Sequence, residues 1–134
     1  MSLMTLSIDC GGLSLKASVL DEAGTMHAQS ISVPTPYPLS PTLLMETFAD
    51  MAKKLPKFDR ITVGFPGMVR HGVIVYTPHY INVRGPRTKV DPELAEAWRG
   101  YDLQSNLTEF FGKPALVLND AEVHGAGEIG RAHV

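Results

Sequence analysis

The chain contains little cysteine and no excess of charge of either sign. Cys10 is its single cysteine, which excludes an internal disulfide bond and a cysteine-based zinc site and favours a reducing compartment, so we expect a cytoplasmic protein. The 12 basic and 14 acidic residues give a net charge of −2, and we therefore expect no nucleic-acid partner. No apolar run approaches the roughly 20 residues that cross a bilayer, so no membrane partner is expected.

Two patterns typical of cofactor sites are missing or misplaced. The five histidines form no His-x-x-x-His pair, so a histidine metal site is not expected. Residues 125–130 match the G-x-G-x-x-G pattern of dinucleotide-binding turns. They begin several residues after the end of a predicted strand, whereas a dinucleotide-binding turn follows its strand directly. We interpret these glycines as sites of close helix packing.

Hydrophobic residues make up 44% of the 134 residues, which is enough for one domain with a buried core. Three short apolar segments, at 5–8, 15–20 and 26–33, predict strands. The turns between them are short and polar, with Gly24 at a position that tolerates a positive φ. Short connections imply antiparallel neighbours, so these three strands are expected to pair in that way.

Helices and further strands follow in the sequence. Ser40 and Pro41 provide an N-cap and a first helical residue, and apolar residues at helical spacing predict a helix over 41–55, closed by Pro56. The other predicted elements are strands at 60–65 and 73–77, a loop at 78–92, helices at 92–98 and 102–111, a strand at 115–119 and a helix from 121 onward. The expected fold is α/β, a mixed five-stranded sheet with three antiparallel N-terminal strands, flanked by helices.

Two acidic turns are the most informative feature, because each one ends a short apolar run. Asp9 precedes Cys10 and two glycines, and Asp120 follows Asn119 at the end of the last predicted strand. Carboxylates at the ends of neighbouring strands suit phosphoryl transfer, since one can hold Mg²⁺ and the other can accept a proton from an attacking hydroxyl. Taken alone, each has a simpler interpretation, Asp9 as a turn residue and Asp120 as a helix N-cap.

The segment 64–67, Gly-Phe-Pro-Gly, requires a defined turn directly after a strand. It is interpreted either as a turn alone or as a wall of a substrate cleft. His71 and His79 fall in loops near this presumed cleft, and a solvated loop residue is the simpler interpretation of each.

Together these motifs resemble those of a known superfamily. Residues 6–16, with Asp21 and Gly24 after them, resemble the first phosphate motif of the sugar-kinase, actin and Hsp70 superfamily. Residues 63–74 are similar to the corresponding stretch of the ROK family (repressors, open reading frames and kinases), in particular its polyphosphate glucokinase branch. Residues 117–121, followed by Gly125 and Glu128, match that family's Asn-Asp-Ala segment. The three motifs occur in family order, which is far more specific than any one of them.

The resemblance implies a fold, a reaction and partners. The fold would be a ribonuclease H-like (actin-like ATPase) lobe, with residues 4–134 forming the N-terminal lobe of a two-lobed sugar kinase whose C-terminal lobe is absent from this chain. The acceptor would be a small-molecule sugar, glucose or a related hexose. The donor would be ATP or polyphosphate, with Mg²⁺ as cofactor. Family members are often dimeric, so a homodimer is also implied.

The resemblance also implies roles on the sugar side of the site. Asp120 would be the general base that takes the proton from the attacking sugar hydroxyl. Asn119 would bind sugar hydroxyls, and Pro66 and Gly67 would line the sugar cleft. His79 follows Pro78 where the family often has Asn after Pro, and it is therefore included among the substrate-binding residues.

On the phosphate side, the resemblance implies that Asp9 orients Mg²⁺ through water. Gly11 and Gly12 would border the phosphates, and Ser14 and Lys16 would belong to the same phosphate-binding set.

One position departs from the family pattern. Residue 13 is Leu where the phosphate motif usually has Thr or Ser, so a hydroxyl that commonly contacts a phosphate is missing. Leu13 favours an alternative function, a non-catalytic sugar-binding or regulatory module. A third interpretation is a lobe that folds but has little activity alone, because phosphoryl transfer positions two substrates between lobes.

Overall fold

The structure is a computed structural model that describes residues 3–120. Its elements, in chain order, are β1 (Thr5–Cys10), β2 (Ser14–Leu20), β3 (Ile31–Pro34), α1 (Pro41–Ala52), β4 (Arg60–Phe65), β5 (Met68–Arg70), β6 (Val73–Tyr76), α2 (Pro92–Trp98), α3 (Leu103–Phe111) and β7 (Ala115–Asn119). The helix expected from 121 onward and the glycine pattern at 125–130 lie outside the described residues.

Five strands form one sheet in the order β3-β2-β1-β4-β7. The first three strands pair antiparallel, while β4 is parallel to both β1 and β7. The parallel strands are joined by segments that contain helices, as a parallel connection requires. The expectation of a mixed five-stranded α/β sheet is confirmed. Because β1, β4 and β7 run in one direction, their carboxyl ends meet at the same edge.

The hydrophobic core lies on one face of this sheet. Alternate residues of β1, Leu6, Ile8 and Cys10, are at most 2% exposed, because period-two alternation places them all on that face. They pack in one cluster with side chains from all three helices, namely Leu44, Met45, Phe48, Met51, Trp98, Leu103 and Leu107. The opposite face carries polar and partly exposed residues, and its Leu116 is 47% exposed. The described helices therefore cover one face.

Local capping residues set the helix ends. The Ser40 hydroxyl accepts a hydrogen bond from the Leu43 amide (3.1 Å) at the start of α1, and α3 ends at Gly112 with a φ of 66°. The helix predicted over 41–55 was too long, since α1 stops at Ala52. Pro56 disfavours helical geometry at the residue before it, and residues 53–55 form a tighter turn, with the Leu55 amide donating to the Ala52 carbonyl (3.1 Å). Within residues 3–120, no helix has the length and hydrophobicity of a membrane-spanning segment.

The strand predicted over 26–33 was wrong in its first half. Regular pairing with β2 ends where Ala17 meets Ile31, and the next contact is an isolated bridge between Leu20 and Met26. Three steps along β2 thus correspond to five steps along the partner. The two extra residues leave the ladder, and the paired strand is only Ile31–Pro34.

The sequence interpretation also missed β5. This short strand pairs antiparallel with β6 in a separate two-stranded sheet. The two residues that connect them, His71 and Gly72, have φ values of 53° and 80°. Positive φ at both positions is typical of a type I′ hairpin turn. Two short apolar runs separated by two residues ending in glycine are a hairpin signal that could have been recognised.

Candidate active site

The two acidic turns meet at the carboxyl edge of the parallel strands. In the sheet register, Asp9 lies beside Gly64, and Gly64 lies beside Leu118, two residues before Asp120. Strand β4 lies between β1 and β7. The expectation that the two acidic turns end directly neighbouring strands was therefore wrong. At a strand spacing of about 4.8 Å, the backbones of Asp9 and Leu118 are about 10 Å apart. The carboxyl end of β4 therefore lies between the two acidic turns.

Cys10, the last residue of β1, is buried next to Asp9. Burial of this thiol raises its pKa above the ordinary value, and the negative charges of Asp9 and Asp120 raise it further. The buried thiol stays protonated at neutral pH, so Cys10 does not have the reactive thiolate of a nucleophilic cysteine.

Three of the residues expected to bind phosphate or metal share one face of the sheet. Asp9 lies directly opposite Lys16 in the antiparallel ladder, and Ser14 is two residues before Lys16 on the same strand. All three are exposed, on the face opposite the helices. Among the described residues no ion pair ties Lys16 to a carboxylate. The lysine is thus available to a bound anion.

Asp9 offers the kind of ligand that Mg²⁺ prefers. Its carboxylate is exposed at a strand end, and among residues 3–120 no group of three His, Cys, Asp or Glu side chains converges as a metal site. Mg²⁺ usually keeps several waters and is held by one or two carboxylates together with substrate phosphates. A single oxygen ligand beside a phosphate site fits that pattern.

Gly11 is built into the turn that follows β1. Its amide donates a hydrogen bond to the Ser14 carbonyl (2.9 Å), so this amide is already used within the protein. Its carbonyl accepts hydrogen bonds from the Tyr80 hydroxyl (2.9 Å) and the Thr35 hydroxyl (3.0 Å). Gly11 therefore shapes the turn and contributes no free amide to a phosphate. No sequence pattern predicted the two hydroxyl donors, which come from distant loops.

The amides of Gly12 and Leu13 find no hydrogen-bond acceptor in the described part of the chain. They are the turn's candidates for contact with a phosphate. A Cβ atom on Gly12 would lie 2.8 Å from Pro86 Cγ and 3.3 Å from His79 Cγ, so glycine is required by close packing of the loop that contains both. His79 therefore lies beside the turn at residues 11–13, which we call the phosphate turn because it is the candidate phosphate site.

Two of the four expected sugar-binding residues line an open pocket of about 360 Å³, whose lining is Gly67, Met68, Val69, Tyr76, Pro78 and Asn119. The Asn119 side-chain amide donates a hydrogen bond to the Gly67 carbonyl, which joins the end of β7 to the turn after β4. Pro66 is buried behind this pocket, where its carbonyl accepts a hydrogen bond from Thr77 (3.0 Å). The structure thus brings Gly67 and Asn119 together, whereas Pro66 and His79 do not line the pocket.

An aromatic cluster that the sequence interpretation missed supports the phosphate turn. Tyr80 packs edge-to-face on Phe65, with ring centroids 5.4 Å apart, and lies 5.7 Å from Trp98. The Trp98 indole donates a hydrogen bond to the Leu39 carbonyl (2.9 Å), which satisfies the one polar atom of this buried side chain. The cluster holds the Tyr80 hydroxyl against the turn.

The free energy of unfolding is expected to fall as pH rises above about 10, because the Tyr37 side chain is partly buried and that of Tyr80 is buried. Burial raises the pKa of Tyr37 to about 12 and raises that of Tyr80 as well. Between about pH 10 and 12 the unfolded chain loses these protons while the folded protein keeps them, so the free energy of unfolding decreases as pH rises. Urea unfolding of Tyr80→Phe at pH 8 and pH 11 should show a smaller decrease than the wild type. Tyr76→Phe, at a tyrosine that is 56% exposed, is the matched control, and equal decreases in all three proteins would contradict the prediction.

Known proteins resemble this chain in sequence and in fold. The sequence profile of the ROK family matches residues 5–131. The polyphosphate glucokinase of Mycobacterium tuberculosis (strain ATCC 25618 / H37Rv) is 27% identical over 123 residues, which are 90% of this chain and 41% of that protein.

Solved structures show the same fold. The inorganic polyphosphate/ATP-glucomannokinase from Arthrobacter sp. strain KM superposes with a TM-score of 0.72 and 26% identity, over 97% of this chain and 48% of that one. A ROK family glucokinase from Streptomyces griseus, in complex with glucose and AMPPNP, gives a TM-score of 0.70 and 23% identity, over 96% and 36% of the two chains.

These relatives are more than twice as long as the region that matches, and the chain spans only 41% of the M. tuberculosis enzyme. The expected actin-like ATPase fold is confirmed by the structural matches. Since the family profile covers almost all of the sequence, the chain belongs to the ROK family.

Proposed function

We propose that this chain is the N-terminal lobe of a sugar kinase, which transfers a phosphoryl group from ATP or polyphosphate to a hydroxyl of glucose or a related hexose. The observation that carries the proposal is the convergence of Asp9, Asn119 and Asp120 at one edge of the sheet. The names of the relatives support a sugar acceptor and a polyphosphate or nucleotide donor.

In this proposal, the acceptor sugar occupies the pocket that Gly67 and Asn119 line. Asn119 lies at its rim and orients the sugar by hydrogen bonding. Asp120 is the next residue at the same strand end, and in this proposal its carboxylate contacts the attacking hydroxyl. As that hydroxyl attacks the terminal phosphorus atom of the donor, Asp120 accepts its proton and the new P–O bond forms. The bond between that phosphorus and its bridging oxygen breaks, and ADP or the shortened polyphosphate leaves with the bridging oxygen.

In this proposal, the donor phosphates lie at the turn after β1, across the carboxyl edge of the sheet from the sugar pocket. The amides of Gly12 and Leu13 and the side chains of Ser14 and Lys16 contact the phosphate oxygens there. Asp9 would hold Mg²⁺ through water, and the ion would neutralise charge that develops on the transferring group. Fixed amides and cations at this position stabilise the transition state because they need no reorganisation during the reaction.

A second lobe would complete the site. The sheet face opposite the described helices leaves Leu116 at 47% exposure, and phosphoryl transfer requires both substrates to be enclosed. The relatives' greater length provides for such a lobe. We also keep the homodimer and the cytoplasmic location as predictions.

A phosphorylation assay tests the proposed function. A panel of hexoses is incubated with the full-length protein, Mg²⁺ and either ATP or long-chain polyphosphate, and the sugar phosphate is quantified. Formation of a sugar phosphate from at least one pair of substrates is expected, and the productive pair identifies acceptor and donor. A folded protein that phosphorylates no sugar with either donor would refute the proposal.

One observation favours a second candidate, a sugar-binding module without catalysis. Leu13 is 81% exposed at the turn, at the position where the family pattern has a hydroxyl for phosphate. A sugar-dependent rise in melting temperature without any sugar phosphate formation would support this alternative. The variant Leu13→Thr restores the hydroxyl. If the missing hydroxyl is the reason that no sugar phosphate forms, this variant should restore turnover.

A further inference from the structure

The segment between β6 and α2 contains a well-defined basic loop, residues 82–90. The Val83 amide donates a hydrogen bond to the Lys89 carbonyl (2.9 Å), and the Arg84 amide donates one to the Thr88 hydroxyl (3.1 Å). These bonds across the loop close it into a tight turn. Its side chains are therefore held by an ordered backbone.

The charge of this loop is strongly one-sided. Arg84, Arg87 and Lys89 are exposed, and the sequence between Asp59 and Asp91 contains no acidic residue. The ion pairs of the described residues involve none of these three cations. The positive charge of the loop therefore faces solvent without a paired carboxylate among the described residues, which favours an anionic ligand.

The tip of the loop packs directly on the phosphate turn. Pro86 leaves no space for a side chain at Gly12, and the Tyr37 ring lies 2.7 Å from the position of a Cβ atom at Gly85. The Tyr37 hydroxyl in turn donates a hydrogen bond to the Gly12 carbonyl (2.6 Å). Arg87 is held at a φ of 66°, a left-handed conformation that a non-glycine residue adopts only when its surroundings impose it.

We propose that the basic loop binds the phosphate chain of a linear polyphosphate beyond its reacting end. This inference rests on the proposed function, in which the reacting phosphate lies at the amides of Gly12 and Leu13. From there, a chain of further phosphates meets Arg84, Arg87 and Lys89 on the adjoining loop. Guanidinium groups bind phosphate oxygens through paired hydrogen bonds, and a row of cations matches a repeating anion.

A charge-removal variant tests the loop. In the full-length protein, the triple variant Arg84→Gln, Arg87→Gln, Lys89→Gln is compared with the wild type by calorimetric titration with long-chain polyphosphate and with ATP, each at low and moderate salt. We expect at least a tenfold weaker polyphosphate affinity, with a shallower salt dependence because fewer counterions are released. The affinity for ATP should change less than twofold.

The matched control removes the same charge elsewhere. Lys53, Lys54 and Lys57 are exposed and precede β4, at the opposite end of the sheet from the site, and all three are changed to Gln. Polyphosphate affinity should be unchanged in this control. An equal loss in both variants, no loss in the loop variant, an equal loss of ATP affinity, or equally tight wild-type binding of a single-stranded RNA of the same charge would overturn the proposal.

The binding measurement separates this inference from the proposed function. If the wild type phosphorylates sugars but the loop variant keeps the wild-type affinity and KM for polyphosphate, the loop assignment is wrong and the kinase assignment stands. If the wild type phosphorylates no sugar but binds polyphosphate through the loop, the loop assignment is supported and the kinase assignment fails.

Discussion

Replacing Asp120 by Asn is expected to lower the turnover number of the sugar kinase reaction by about 10²–10⁴-fold, the usual contribution of a general base. Asn has nearly the same shape but does not accept the proton of the attacking hydroxyl. Because this loss concerns the transition state, sugar affinity should change little. Steady-state kinetics and calorimetric sugar titration of the full-length protein measure the two effects separately.

The substitution also distinguishes catalysis from helix capping. Asn is as good an N-cap as Asp, so a residue that only caps a helix would tolerate the change. Asp50→Asn, at an exposed site on α1, is the control for the loss of one carboxylate. Unchanged turnover in Asp120→Asn would show that this carboxylate is not the base.

A second large effect is expected from Gly67→Ala, which should destabilise the fold by about 3 kcal/mol and weaken sugar binding. Gly67 has a φ of 153°, and a Cβ atom there would overlap the Tyr76 carbonyl oxygen. Strained backbone and overpacking each cost about 1–3 kcal/mol. Because the Gly67 carbonyl accepts the Asn119 hydrogen bond, any shift of this turn also moves a residue at the rim of the proposed sugar pocket.

Urea unfolding and the KM for sugar measure these consequences. Gly112→Ala is the matched control, because Gly112 has a φ of 66° but its Cβ position has no neighbour within 4 Å. It should lose only about 1 kcal/mol, the cost of a left-handed conformation. If both variants lose the same stability and keep the same KM, the close approach at Gly67 has no functional importance.

Local signals made much of the fold predictable. Arg60–Phe65 and Ala115–Asn119 have the bounds expected from the sequence, because each is an apolar run with β-branched residues and a turn or proline nearby. The caps of α1 and α3 were predictable for the same reason, since a serine or aspartate hydrogen-bonds to amides only three residues away. The errors at 26–33 and 41–55 arose where a register shift or a following proline outweighed the apolar pattern.

The sequence by itself determined that acidic residues and glycines end the strands that carry the site, because strand ends and tight turns depend on neighbouring residues. Only the tertiary structure decided which amides remain for a phosphate and what surrounds them. Tyr80 donates to the Gly11 carbonyl across 69 positions of sequence, and Pro86 covers Gly12 from a loop that has no regular pattern. Such contacts depend on how distant segments pack, and no local propensity encodes them.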